Sequence, residues 1–512
     1  MDYPLWDLAM GGGVLMALVA IPHVIVAHFA IGGGLLIVVA ETLSVVRGDA
    51  ALRDLAQRSS LVLILVSTVF GAISGVGIWV VAGLISPAAI SALIHTFVWG
   101  WAIEWVFFIL EIVAALIYYT TWDRISKGAH LLVGWLYVIG AYMSLVVING
   151  IITFMLTPGS WLQTGAFWDG FFNPTYWPSL VLRTGIALLM ATVFMVFVAL
   201  GTTTARRASV LRYLGGWLVA GSLIAYAGYR WWEAALPDTA RGLFAQPAPA
   251  LAGLAATRSL ALWALAVALV GGSLILLAAP KLARGLTAAI VALAAFTFFG
   301  GYERLREGVR KPFLIHSHLF SNGLLVRDIP RLNESGVVAH SGWAAKASAA
   351  DGDVGRQVFR TQCSSCHTLD GYQSIRRALP SFDDLLAVVA ADSAAAAEPA
   401  YRAECGACHP DFTVAEMREM LPSAEEMRED PEMIHDLNHG MIHGTVSLLQ
   451  EMGAAYEAAA RGQMIDTSEL YSSYMPPFVG TDEELEALVD YLAALSRGDD
   501  LRTQRVPAGG TS

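Results

Sequence analysis

Residues 91–118 are one long apolar run, SALIHTFVWGWAIEWVFFILEIVAALIY, and the next cluster of charge begins at Asp123. About 20 such residues cross a bilayer as a helix, so this stretch commits the chain to lipid. Yet the run contains His95, Glu104 and Glu111. A carboxylate at that depth costs on the order of 3 kcal/mol unless it is neutral, paired or bound to something. Glu104 and Glu111 are seven residues apart and share one helix face, while His95 points roughly the opposite way. The segment is written for more than filling lipid.

Apolar residues make up 56% of the chain and charged residues 15%, with a mean hydropathy of +0.56, which excludes an ordinary soluble protein. We expect eight spans, at 12–46, 60–85, 91–118, 130–156, 179–200, 213–229, 259–279 and 285–303. The first is too long for a signal-peptide core and no cleavage site follows it, so it reads as a retained span. Arg47, Arg53 and Arg58 follow span one, and Arg124 and Lys127 follow span three. Arg206, Arg207 and Arg212 follow span five, and Lys281 and Arg284 follow span seven. The alternate loops 86–90 and 157–178 hold no Lys or Arg. Both termini are then expected on the outer side of the membrane. The fold class is therefore all-α: a polytopic bundle over 1–325, a Ser/Ala/Gly/Asp linker over 326–352, and a soluble helical domain over 353–500. Most of the net charge of −11 lies in that last part. It suits a partner with a basic face and gives no basis for nucleic-acid binding.

All four cysteines fall in the tail, as Cys363-Ser-Ser-Cys366-His367 and Cys405-Gly-Ala-Cys408-His409. Cys-x-x-Cys-His is the attachment pattern of c-type haem: two thiols bond the vinyl groups and the next residue offers imidazole to iron. A zinc site or a redox dithiol is the competing reading. Two full pentapeptides in a helical domain expected outside favour two covalent haems c. Met475, in Tyr-Met-Pro-Pro-Phe before a closing helix at 481–496, is a candidate axial ligand. It could serve the second haem, or the first if 383–465 is an insertion. The other distal ligand would then come from Met417, Met420, Met433, Met441, His435, His439 or His443.

In the membrane part, His23 and His28 lie about 140° apart on span one and cannot easily serve one iron from one side. A lone buried His usually satisfies a neighbour. Two in one span, with His95, Glu104 and Glu111 following, point to non-covalent haem. Glu303 and Glu307 share a face at the end of span eight beside Arg304, Arg306 and Arg310, where surface ion pairing is the plain alternative. With the amino terminus outside, His23, His95, Glu303 and Glu307 fall in the outer half of the bilayer. Glu104 lies near the middle and Glu111 deeper.

Residues 20–160 resemble subunit I of cytochrome bd quinol oxidase. The resemblance is carried by Pro-His23, Glu41-Thr-Leu, Ile-Glu104, Leu-Glu111, Trp122-Asp123-Arg124-Ile-Ser-Lys127 and His130. Glu307-Gly-Val-Arg310-Lys-Pro312-Phe is similar to the family's Glu-x-Gly-Arg-Gln-Pro-Trp stretch, with two positions changed. The resemblance implies two or more b- or b/d-type haems, with His23 and Glu307 as axial ligands. It also implies Glu104 as a haem-site carboxylate, Glu111 in the proton path and a second membrane subunit. The family's low-spin haem uses a His in span five, where this chain has Arg183, and its long quinol loop is cut here to about 230–258, which keeps Gln246-Pro247. The chain thus looks like the bd-like relatives fused to cytochrome c domains, placed in the bacterial inner membrane with the cytochrome domain in the periplasm.

Three functions are compatible with these residues. Electrons could pass from a periplasmic donor through the c-haems to membrane haems that reduce oxygen. The chain could instead oxidise quinol and export electrons to c-type acceptors. Or it could be a non-catalytic relay and anchor in a larger respiratory complex.

Overall fold

A computed structural model describes residues 6, 8–201, 204–244, 252–404, 413–430, 432–460 and 475–495. Eight helices among them are long and apolar enough to cross a membrane: Gly12–Arg47, Ala50–Ile85, Pro87–Thr120, Lys127–Leu156, Tyr176–Leu200, Arg207–Ala235, Gly253–Ala278 and Gly285–Gly308. The all-α, eight-span expectation is met. Spans two and six start earlier than hydropathy alone suggests, because Arg53, Arg58 and Arg212 extend their polar ends as helix. Asp49 caps span two by accepting from the amides of Ala51 and Leu52.

Span five is the hub, most of its length buried against spans one, six and eight. Spans five and six cross backbone to backbone. A Cβ on Gly228 would fall 2.4 Å from the Leu182 amide nitrogen, and one on Gly185 would fall 2.3 Å from that of Ala225. Small residues let helices in lipid gain contact area where there is no hydrophobic drive between them. Spans three and four form a second antiparallel pair. Span three kinks at Phe97, whose φ/ψ of −122°/31° leaves the helical region. Span two contains a π-helical segment at Leu65–Gly71, and such segments mark adjusted ligand environments in many helices.

After span eight the chain turns into a two-stranded hairpin, β1 (Phe313–Ile315) and β2 (Leu319–Phe320). The stretch expected as a linker, 326–352, is instead folded. Ile329–Ser335 and Gly342–Asp351 are helices, and Leu332, Val337, Val338 and Ala344 are buried. Its small polar residues hid six apolar anchors, with Val326 and Ile329 besides these four, and beyond the three-residue steps 326, 329 and 332 they keep no regular spacing. They join Val358, Phe359, Phe478, Val479 and Leu488 in one outer core. Helices Val354–Gln362 and Asp482–Ala494 cross there at Gly355, where a Cβ would lie 1.9 Å from the Ala487 carbonyl oxygen. Thr481 caps the closing helix as its sequence suggests. Glu484 also reaches back to accept from the amides of Val337 and Val338, at 2.8 and 2.9 Å. A separate small core, with Leu385, Val388, Tyr401, Val414 and Met427, is built from 382–429.

Gly355→Val should force the two crossing helices apart and destabilise the outer domain by about 1–3 kcal/mol. The check is faster limited proteolysis between the membrane part and the tail, with the spans intact.

Candidate haem and proton-relay site

The polar residues of spans three and four meet in rungs. On span four His130, Tyr137 and Ser144 are spaced by seven, and on span three so are Tyr118, Glu111 and Glu104. The helices run antiparallel, so the pairs line up. The Ser144 hydroxyl donates to Glu104 at 2.7 Å, and Tyr137 donates to Glu111 at 3.3 Å and lies 3.0 Å from the Ala30 carbonyl. At the third rung His130 Nδ1–H donates to Glu41 of span one at 2.7 Å, and Tyr118 donates to the same carboxylate at 2.6 Å. The His130 Nε2 lies 2.9 Å from the Tyr118 carbonyl. Glu41 and His130 were legible only as matched residues; their pairing follows from the seven-residue period of polar positions within apolar helices.

The two histidines of span one serve different neighbours. His23 bonds Ser74 through Nδ1 at 3.1 Å and lies against Gly75, just beyond the π-helical segment of span two. His28 is buried, with Nδ1 on the Val24 carbonyl at 2.7 Å, Nε2 without a partner and its ring on Phe299 at 4.8 Å. It faces the pair that replaces the expected span-five imidazole. Arg183 is ion-paired to Glu303 at 3.1 Å, and Glu303 is held on its other oxygen by Arg306 at 2.9 Å. Arg183 also lies 5.6 Å over the Tyr302 ring. With an arginine in the ligand position and spans five and six in backbone contact, a low-spin haem does not fit there. Glu307 is engaged by Arg306, Arg310 and Lys311. His95 stands near the amino-terminal end of span three, bonded through Nδ1 to the Ser91 carbonyl at 2.7 Å.

In the outer domain Cys363 and Cys366 are unpaired thiols. Burial pushes the Cys363 thiol up to about 12, the neighbouring thiol adding to it, which is the reverse of what a reactive dithiol needs. His367 Nδ1–H donates to the Gln373 carbonyl at 3.2 Å, so Nε2 is the nitrogen left for iron, and burial keeps the ring neutral by lowering its pKa. Met475 sits in a loop tied to this motif. The Gln362 side chain donates to the Val479 carbonyl at 2.7 Å and accepts from its amide at 3.0 Å. Cys405, Cys408 and His409 lie outside the described residues. The other imidazoles considered as distal ligands turn to the closing helix: His439 to Asp490 at 3.1 Å and His443 to Glu486 at 3.0 Å. Among the described residues no three His, Cys, Asp or Glu side chains gather as a metal site, although a haem needs only one or two.

The first motif rests on the end of the bundle where span one begins. Gly371 packs so tightly that a Cβ would fall 1.6 Å from the Ala9 carbonyl oxygen, and Thr368 and Tyr372 lie against Gly11.

The family described as cytochrome bd terminal oxidase subunit I matches residues 14–227. No curated protein matches the chain. A solved bd oxidase from Geobacillus thermodenitrificans superposes with a TM-score of 0.52 at 16% identity, covering 59% of this chain and 87% of that one. At that identity the match speaks for the fold. The membrane half is thus similar to bd oxidase subunit I in sequence pattern and in architecture.

Glu303→Gln should leave the buried Arg183 without a carboxylate and cost about 3–5 kcal/mol. Arg183→Met/Glu303→Gln should recover most of that loss, as read from the thermal aggregation midpoint of the purified protein in detergent.

Proposed function

We propose that this chain is the haem-carrying subunit of a membrane respiratory oxidase fed by a c-type donor. Electrons enter at covalent haems on Cys363, Cys366 and His367 and on Cys405, Cys408 and His409. They pass to b- or d-type haems within the bundle, where oxygen is reduced. The observation that carries this reading is the seating of the first thiol motif on the end of the bundle nearest His23. Haem supplies the reversible one-electron chemistry when bound. His367 would hold the iron through Nε2, and Met475, on the loop whose Val479 is bonded to Gln362, would be a second protein ligand. His23 presents an imidazole oriented by Ser74. Glu307 reaches a metal only by giving up one of its cationic partners.

Protons follow the rungs. Glu41 and His130 form the station nearest the end opposite the thiol motif, Glu111 with Tyr137 the next, and Glu104 with Ser144 the last. The positive-inside pattern makes the first of these cytoplasmic and puts the cytochrome domain in the periplasm of a bacterial inner membrane. Exposed apolar side chains such as Trp99, Val106 and Phe70 on spans three and two offer a surface for lipid or for a second membrane subunit. A periplasmic cytochrome c, and other respiratory subunits, complete the assembly. The shortened 230–258 loop counts against quinol oxidation, and the retained His23, Glu104, Glu111 and Glu307 count against a pure anchor.

Oxygen uptake by the purified complex should run on reduced cytochrome c, and quinol-driven uptake with no c-type donor would overturn the proposal. Glu111→Gln should slow that uptake about 100-fold with haem content unchanged, and Cys363→Ala should remove one of two covalent haems.

A further inference from the structure

Span two carries a further row of polar positions on the same seven-residue period as the rungs: Ser60, Ser67 and Ser74. Each serine meets one side chain of another span. Trp122 Nε1–H donates to Ser60 at 3.2 Å, Ser67 meets the Tyr137 side chain, and Ser74 lies 3.1 Å from His23 Nδ1. Each also commits its own proton within span two. Ser60 donates to the Gln57 carbonyl at 2.8 Å, Ser67 to that of Leu63 at 2.8 Å, and Ser74 to the carbonyls of Phe70 and Gly71. Serine inside a helix commonly bonds back in this way. A hydroxyl has one proton, so a serine that has committed it can only accept from a neighbour.

At His23 this decides which ring nitrogen carries the proton. Ser74 accepts from Nδ1–H, and Nε2 is left as the bare nitrogen. The backbone of span two holds the pair in place. Phe70 and Gly71, which take the Ser74 proton, are the last two residues of the π-helical segment Leu65–Gly71. Gly75 lets the ring lie against the helix, where a Cβ would come 3.1 Å from His23 Cε1.

We propose that Ser74 is a positioning residue that fixes the His23 tautomer, with Nδ1–H held by span two and Nε2 presented to iron. The proposal rests on the haem reading above and adds how a c-type donor can feed this site. A carboxylate on Nδ1–H would draw the proton away and make the imidazole a stronger electron donor, which lowers the potential of the iron it holds. A hydroxyl with its own proton turned to the main chain leaves the imidazole neutral. Methionine ligation raises the potential of a c-type haem, so electrons run downhill from it only to a haem whose potential is kept high as well.

The test uses the full-length complex. Ser74→Ala removes the acceptor, Ser74→Thr keeps it, and Ser74→Asp puts a carboxylate in its place. Far-UV circular dichroism checks that each variant folds. Haem b is counted by pyridine haemochrome, its midpoint potential is found by redox titration, and the iron–histidine stretch is read by resonance Raman. The His23 tautomer is read by solid-state nitrogen NMR of histidine-labelled protein, its signal assigned by loss in His23→Gln. Ser74→Ala should weaken b-haem binding about 10–100-fold and let both tautomers appear, and Ser74→Thr should restore the parent values. Ser74→Asp should raise the stretch frequency and lower the potential. A parent tautomer protonated at Nε2, or a stretch and haem content unchanged in the Ala and Asp variants, overturns the proposal. So does a Thr variant that fails as the Ala variant does, because loss of packing would then explain both. A parent complex with no b-type haem counts against the oxidase reading instead, and the tautomer in parent and Ser74→Ala still decides the role of Ser74.

Discussion

A carboxylate inside a bilayer must find a partner on its own protein, since lipid offers none, and this requirement fixes how the spans are arranged. Glu41 meets His130 and Tyr118, Glu104 meets Ser144, Glu111 meets Tyr137, and Glu303 meets Arg183 and Arg306. Each contact joins two different spans except Glu303 with Arg306, which braces its own helix. Glu41 ties span one to spans three and four, Glu104 and Glu111 each tie span three to span four, and Glu303 ties span eight to span five. Apolar packing fills the space between these ties without choosing their register, because most of the surface of every span is equally greasy.

Much of this was readable before any coordinates. Eight apolar runs gave eight helices, because segments of that length and composition have nowhere else to go. Glu104 and Glu111 announced themselves by cost. What escaped were partners of low cost and irregular spacing. Ser144 and Tyr137 are unremarkable in an apolar helix until the antiparallel helix beside them is seen to repeat its acids with the same period. The packed 326–352 stretch was masked by the small and polar residues between its six anchors, of which only Val326, Ile329 and Leu332 keep a helical step. Arg183 was visible as a departure, but its partner could not be deduced, since span eight offers two acids on one face and only Glu303 turns toward span five.

The bundle and the outer domain divide the chemistry between them. In the bundle the polar groups are sparse, paired and spaced by two helical turns, suited to moving charge in small steps. In the outer domain the thiol motif, Gln362 and the Met475 loop are locked together by paired hydrogen bonds to the main chain of Val479. That rigidity suits a redox centre, whose reorganisation cost falls as its ligands are held more firmly.

The close approach of Gly371 to Ala9 leaves no slack under the thiol motif. Many electron carriers attached to membrane enzymes hang on flexible tethers and shuttle between docking positions, so their throughput depends on tether length and viscosity. Here the residues between span eight and the motif are folded and the motif itself is clamped onto the bundle. On the function proposed above, electrons would cross between the two halves over a fixed gap, at a pace set by tunnelling rather than by swinging.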